Sequence, residues 1–309
     1  MSVSPTIPNA AWISFVALIA ASGPLAAESI TLRPVADTSL FVLNGGSNNF
    51  GANTTLVVGT TASGSTSRAV LRFDIAGNLP AQAIITSVQL NLVVTKANIA
   101  GVGSTFALHR LLQSWGEGNK TGNTGAPATA GEATWFHRFF PATVWGAPGA
   151  AAPVDFSADA GASANVDLPD TYTFGSSSNL VEDVQTWLGD PAGNFGWIVL
   201  SQSEGTALTS RRIASREDTA NAPTLALDFI PPPRIAGASL QDTNLAFHFT
   251  VEAGYNYAVE YADVLPSTNW LVLTNFGAKI AGFEAGVTNA AQAAPARFYR
   301  LSRVPCNCR

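Results

Sequence analysis

Short apolar–polar alternations, each broken after a few residues by Gly, Asn or Ser, run through most of this chain. They leave little room for anything except antiparallel β-structure. Val88, Leu90, Leu92 and Val94 alternate with Ser87, Gln89, Asn91 and Val93, and Leu225, Leu227 and Phe229 alternate with Thr224, Ala226 and Asp228. A period of two places one side-chain set on a buried face and the other toward solvent. By the same criteria, strands are expected at Leu56–Val58, Ala69–Ile75, Thr105–Leu111, Trp197–Ser201 and Arg211–Arg216. Two of these runs, Ser67–Asp74 and Arg212–Glu217, carry arginine among apolar residues. Charged residues make up only 12% of the chain, about half the share in an ordinary soluble domain, so arginines inside strands have a bracing or a binding task.

One helix interrupts the strands. Ser178 is positioned to cap Asn179–Leu188, Gly189 follows, and Leu180, Val181, Val184, Trp187 and Leu188 form a single apolar stripe suited to core packing. Pro231–Pro232–Pro233 then marks a boundary, since three prolines enforce an extended spacer and cannot sit in a central strand. Beyond it, strands are expected at Leu245–Phe249, Tyr255–Tyr261, Trp270–Leu273 and Arg297–Leu301, enough for a small sandwich of immunoglobulin or fibronectin type. The expected fold is therefore all-β: a jelly-roll β-sandwich with one short helix over residues 28–230, a linker at 231–233, and a small β domain at 234–304.

Both termini are read separately. Ala10–Ala21 is an apolar block followed by Leu25–Ala26–Ala27, the pattern of a signal peptide cleaved after Ala27, and it falls short of the ~20 residues a membrane span needs. A secreted or cell-surface location without an integral span follows from that reading. The two cysteines, Cys306 and Cys308, lie in the tail 305–309. They could pair with each other, cross-link to another chain or stay free, and they are too few for a metal site.

Composition removes some functions. A net charge of −5 with no basic run argues against nucleic acid, which needs a basic patch. Nucleophile elbows, zinc-binding helices and glycine-rich phosphate loops are absent. A polysaccharide lyase would need a basic group and a tyrosine or histidine converging over a sugar, but Tyr172 is the only tyrosine in 28–230. His248 reads as packing among phenylalanines, while His109 and His137, the latter beside Arg138, remain candidate ligand contacts.

The remaining signals suit sugar binding. Trp115, Trp135, Phe136, Phe139, Phe140 and Trp145 cluster in one stretch. Planar rings stack on the apolar faces of sugars, yet they also serve to close a sandwich. Trp115 and Trp187 read as packing; Trp135 and Trp145 stay open between the two roles. Arg72, Arg212 and Arg216 likewise have two readings. They pair with Asp74, Glu117 and Glu217 to brace strands, or they grip the carboxylates of an acidic polysaccharide in bidentate fashion. Loop aspartates, with Asp37 and Asp155 foremost beside Asp159, Asp167 and Asp170, make a structural calcium ion a further candidate.

Several of these motifs together resemble the DNRLRE domain: Val35–Thr38, Asn49–Gly51 ahead of Leu56–Gly59, Arg68–Asp74, Ser114–Gly118, Ala133–Trp135, Val184–Trp187 and Ala214–Glu217 followed by Ala222–Leu225. The chain is similar in the same way to carbohydrate-binding module family 96. That resemblance implies a noncatalytic β-sandwich of secreted and cell-surface bacterial proteins, within which alginate-type binding occurs. Tyr257–Tyr261, Asn269–Trp270 and Arg297–Leu301 resemble fibronectin-like C-terminal modules of Planctomycetes and Verrucomicrobia, with Trp270 expected at the centre of the small core. The functional expectation is a secreted carbohydrate-binding protein for an acidic polysaccharide or cell-surface glycan, and the alternative is a structural or adhesive surface protein.

Overall fold

The computed structural model describes residues 27–98, 100–241, 244–290 and 296–305. The expected signal peptide at 1–27, Ala27 apart, and both cysteines lie outside the described residues. Two compact units divide the chain between Ile230 and Pro231.

In chain order the larger unit begins with β1 (Glu28–Leu32), β2 (Pro34–Phe41), β3 (Asn48–Asn49), β4 (Thr55–Thr60), β5 (Thr66–Phe73), β6 (Ile84–Ala97) and β7 (Ser104–Leu111). It continues with β8 (Ala126–Pro127), β9 (His137–Phe139), β10 (Thr143–Val144), β11 (Phe156–Val166), β12 (Thr171–Phe174), helix α1 (Ser178–Gly189), β13 (Trp197–Ser201), β14 (Arg211–Ala214) and β15 (Thr224–Ile230). Eleven of these strands form one curled antiparallel sheet ordered β1-β15-β6-β14-β4-β5-β13-β7-β11, with β12 joined to β6 and β2 to β5. Strands β4 and β5 share only the pairs Gly59–Ser67 and Thr60–Thr66, beside the Ser/Gly turn at 61–65. The sheet folds back on itself there and becomes a two-layered sandwich.

Between the layers, Val88, Leu90 and Leu92 of β6 and Leu225, Leu227 and Phe229 of β15 pack in one core with Leu71 and Phe73 of β5, Phe106 and Leu108 of β7, and Trp197 and Val199 of β13. The alternation read from β6 and β15 is thus the alternation that the core selects. Helix α1 adds Leu180, Val184, Trp187 and Leu188 to the same core, and Trp187 meets Trp197 edge-on at 4.6 Å. The helix begins one residue earlier than expected: Ser177, not Ser178, accepts the N–H of Leu180 on its hydroxyl and is the cap. All-β architecture with a single α-helix is what the sequence predicts and what the described residues have.

A second apolar cluster lies on the opposite side of the β2-β5-β13-β7-β11 layer. It joins Leu40, Val70, Leu111, Phe156 and Ile198 of the strands to Trp115 and Trp145 of the long segment 112–155. The inner strands β5, β13 and β7 are consequently covered on both faces, while alternate residues of β11 stay exposed.

Arg211 was not singled out from the sequence, yet it is 1% exposed. Its guanidinium donates to the carbonyls of Val102 (2.8 Å), Leu208 (3.2 Å), Ser210 (3.1 Å) and Asp167, and it lies 3.4 Å from the Asp167 carboxylate. A buried cation is tolerable when its donors are spent in this way.

The smaller unit contains β16 (Ala236–Gln241), β17 (Asn244–Val251), β18 (Tyr255–Ala262), β19 (Leu271–Phe276), β20 (Phe283–Ala290) and β21 (Phe298–Pro305). They form two three-stranded sheets, β16-β17-β20 and β19-β18-β21. Phe249 and Val251 of one sheet pack with Tyr257 and Val259 of the other. Trp270 does not occupy this centre. It ends the segment ahead of β19, half-buried, with Arg300 stacked over its ring at 4.4 Å and its indole N–H donated to Ser267 O at 3.1 Å. Phe249 and Tyr257, with ring centroids 5.8 Å apart, take the place expected for it.

Replacing Arg211 by Met strands several buried carbonyls, each costing about 1–3 kcal/mol. We expect urea denaturation of Arg211→Met to show a loss on the order of 3 kcal/mol; an unchanged midpoint would refute the bracing role.

Candidate functional site

Segment 112–155 forms a roof over the outer face of β5, β7 and β13. Trp115 donates its indole N–H to Phe195 O at 2.9 Å and Trp145 donates to Thr134 O at 3.0 Å. Both rings are buried. Trp135 is half-buried, with the Arg68 guanidinium over its ring at 5.6 Å. Arg68 also donates to Gly149 O (2.8 Å) and Ala150 O (2.7 Å) and grips Glu204 in bidentate fashion at 2.8 and 2.7 Å. Gly149 adopts φ +82°, and a Cβ there would stand 2.5 Å from the tip of Trp135, so only glycine allows the indole to lie flat against the backbone. Phe136 is exposed. The aromatic stretch thus covers a sheet face and does not build an open platform, and Trp145, left open between stacking and packing, is packed.

At one border of the roof, the motifs that carry the family resemblance converge although they lie up to 180 residues apart. Asn49 donates to Glu117 O (2.7 Å) and Ala133 O (3.0 Å) and accepts the N–H of Gly51 (3.0 Å). A Cβ on Gly51 would stand 2.1 Å from Glu117 O, which explains the glycine. The Asp37 N–H donates to the Glu117 carboxylate at 2.8 Å, and Asp37 in turn accepts the N–H of Arg216 at 2.8 Å. Arg216 donates to both oxygens of Glu117 at 2.6 and 3.1 Å and lies 3.1 Å from Glu217. The arginine–carboxylate network expected for Arg216 with Glu117 and Glu217 is this one. Burial is the main cause that pushes Asp37 up to about 8 and raises Glu117. The hydrogen bond to Glu117 raises Arg216.

The other named residues fall elsewhere. Arg72 lies over Trp115 at 6.0 Å, and its expected partner Asp74 instead accepts the N–H of Gly77 at 2.9 Å. His109 is buried, with Nδ1 2.9 Å from Ser157 O and its ring edge-on to Phe156. His137 lies in β9 against Thr134 Oγ1 at 3.2 Å and Phe140, and Arg138 donates to Ser114 O at 2.9 Å. Of the calcium candidates, Asp155 is buried and accepts the N–H groups of Gly146 and Ala151. Asp37, Glu117 and Glu217 each bring an oxygen within 4.8 Å of the others, a spacing that fits a metal ion, and the Arg216 guanidinium lies against Glu117 and Glu217.

One open groove of about 410 Å³ lies at the far end of β6 and β14, lined by Thr61, Lys96, Asn98, Leu208, Ser210 and Arg212. Lys96 and Arg212 stand directly opposite each other across the two strands. Arg212 is held by neutral groups, donating to Asn123 Oδ1 at 2.7 Å and Thr55 Oγ1 at 3.2 Å. Among the described residues no carboxylate pairs with either cation. Like charges directly across an antiparallel pair are destabilising, and among the described residues no carboxylate neutralises them. Lys96 was not singled out from the sequence, because its significance lies in the register.

Arg68 is the tie between roof and sheet. Removing it frees two carbonyls and Glu204, and we expect Arg68→Ala to lower stability by about 2–3 kcal/mol and to redshift Trp emission; an unaltered spectrum and midpoint would contradict the tie.

Residues 28–139 match the family model described as Carbohydrate-binding module family 96. The matched span runs from β1 to the end of β9 and so includes Asp37, Asn49, Lys96 and Glu117. No curated protein matches the sequence. Among the described residues no helix is long and apolar enough to cross a membrane.

Proposed function

We propose that this is a secreted, noncatalytic carbohydrate-binding protein whose larger unit takes an acidic polysaccharide in the groove of Lys96 and Arg212. The observation that carries the reading is the pair of cations facing each other across β6 and β14 with no carboxylate partner among the described residues. A uronate carboxylate would supply the missing negative charge, and Arg212, already oriented by Asn123 and Thr55, offers a fixed donor set to it. Thr61, Asn98 and Ser210 are suited to sugar hydroxyls. The match of residues 28–139 to a carbohydrate-binding module family supports the ligand class, and the apolar block at 10–21 supports export.

The buried indoles of Trp115 and Trp145 favour a structural role for the roof, which is where the rival reading of a spacer or adhesive protein draws its support. Binding measurements on the full chain separate the two. Affinity electrophoresis through polyuronate should retard the wild type, less so as salt rises. Lys96→Ala and Arg212→Ala should each weaken binding by about tenfold, the loss of roughly one ion pair's worth of contact. Lys96→Ala relieves the repulsion and should hold or raise the melting temperature. Equal migration of wild type and both variants in polyuronate would dispose of the groove as a sugar site.

A further inference from the structure

A second open groove, of about 180 Å³, lies where β7 and β11 meet the start of α1, lined by Arg110, Ser157, Asp159, Asn179, Glu182 and Asp183. Its shape comes from a break in strand pairing. β11 shifts register against β7 between Phe156 and Ala160 and again between Ala160 and Ala162, so the stretch holding Ser157 and Asp159 leaves the regular ladder. Bulges of this kind re-aim side chains beside binding sites. Gly161 keeps the floor open: a Cβ there would stand 3.1 Å from Leu180 Cδ2 and 3.4 Å from the Asp183 carboxylate.

The inner wall is held in place. Asp183 is buried, accepts the indole N–H of Trp197 at 2.9 Å, and lies 3.4 Å from the Arg110 guanidinium. Asn179 donates to Ala160 O at 3.2 Å. The groups toward the open side are uncommitted. Beyond that one ion pair, Arg110 has no hydrogen bond among the described residues, and its side chain is 31% exposed. Asp159 and Glu182 are exposed and enter no ion pair there. A guanidinium fork and two carboxylates therefore border a space smaller than the roughly 300–1,000 Å³ of sites for drug-sized ligands.

This mixture of donors and acceptors selects a ligand. A hydroxyl group donates and accepts at once, so neighbouring hydroxyls of one ring can accept from Arg110 and donate to a carboxylate. An anionic sugar meets Asp159, Glu182 and Asp183 against one guanidinium, and an ammonium group leaves the Arg110 donors without an acceptor. We propose that this groove is a second saccharide site, which takes a single neutral sugar ring by its vicinal hydroxyls, separately from the cationic groove of Lys96 and Arg212. The ligand class rests on the carbohydrate-binding reading above; the place and the neutrality rest on the groove itself.

The indole N–H resonance of Trp197 reports on the site, because Asp183 joins that indole to the groove. The test is an NMR titration of the full chain with the methyl glycosides of glucose, galactose and mannose. One of them at least should shift the Trp197 indole and the amides of residues 157–161 and 179–183, with a Kd on the order of millimolar. Glu182→Ala and Arg110→Gln should each weaken that response about tenfold. Glu182 is exposed, so its variant should melt with the wild type and decides the matter even where Arg110→Gln fails to fold. No shift from any of the three glycosides at roughly 0.1 M would overturn the site, as would equal responses in wild type and Glu182→Ala. A response that requires calcium would also overturn it, since the carboxylates would then serve a metal ion. Polyuronate titrated separately should perturb 96–98 and 208–212 and leave the Trp197 indole unmoved; movement of that indole by polyuronate would contradict the neutral ligand. Loss of the polyuronate response alone sinks the cationic groove, and loss of the glycoside response alone sinks this one.

Discussion

The strands β2, β5, β13 and β7 of the second layer are covered on both faces, and the rest of the larger unit follows from that. One face is covered by the first layer and α1, the other by segment 112–155. A roof made of irregular chain brings many backbone N–H and C=O groups into a dry place, and each of them needs a partner. Asn49, Arg68, Arg138, Asp155 and the indole N–H groups of Trp115 and Trp145 supply such partners. This explains why a chain so poor in charge keeps arginine inside its strands. On β5, Arg68 and Arg72 point out of the inter-layer core and into the roof, where one pairs with Glu204 and lies over Trp135 and the other lies over Trp115.

Much of the fold was legible because core strands must alternate. β6, β7, β13 and β15 are rich in Val, Ile, Leu and Phe, and their ends were read to within a few residues except for β6, which extends well beyond the run 88–94. Strands β2 and β11 were not legible. β2 is buried on both faces with Asp37, Thr38 and Ser39 at its middle, so it shows neither alternation nor an apolar run. β11 is Ala- and Ser-rich and irregular, and its strand form comes from pairing with β7 through two register shifts. Local propensity could not announce either, since tertiary pairing decides both.

The site was legible in part, and for a similar reason. Arg212 and Arg216 were recognised as candidates, and for Arg216 the partners Glu117 and Glu217 as well, but the neighbours of Arg212 were not. Arg211 and Arg212 are consecutive in a strand, so one turns inward to a nest of carbonyls and the other outward to the groove. Only the register of β14 on β6 shows that Lys96 faces Arg212. The aromatic cluster was ambiguous in the sequence: Trp115 read as packing and Trp145 stood open between packing and sugar, and the sheet beneath them claims both. What chooses between the uses of an aromatic is the face it finds to cover, which belongs to the fold.

Placing the ligand at the cation pair, away from the indoles, is the central claim, and amide chemical-shift mapping of the full chain with an oligouronate tests it most directly. Perturbations gathered at residues 61, 96–98 and 208–212, growing as salt is lowered, are the predicted result. Perturbations confined to 133–149, or a spectrum indifferent to the acidic sugar, would contradict it.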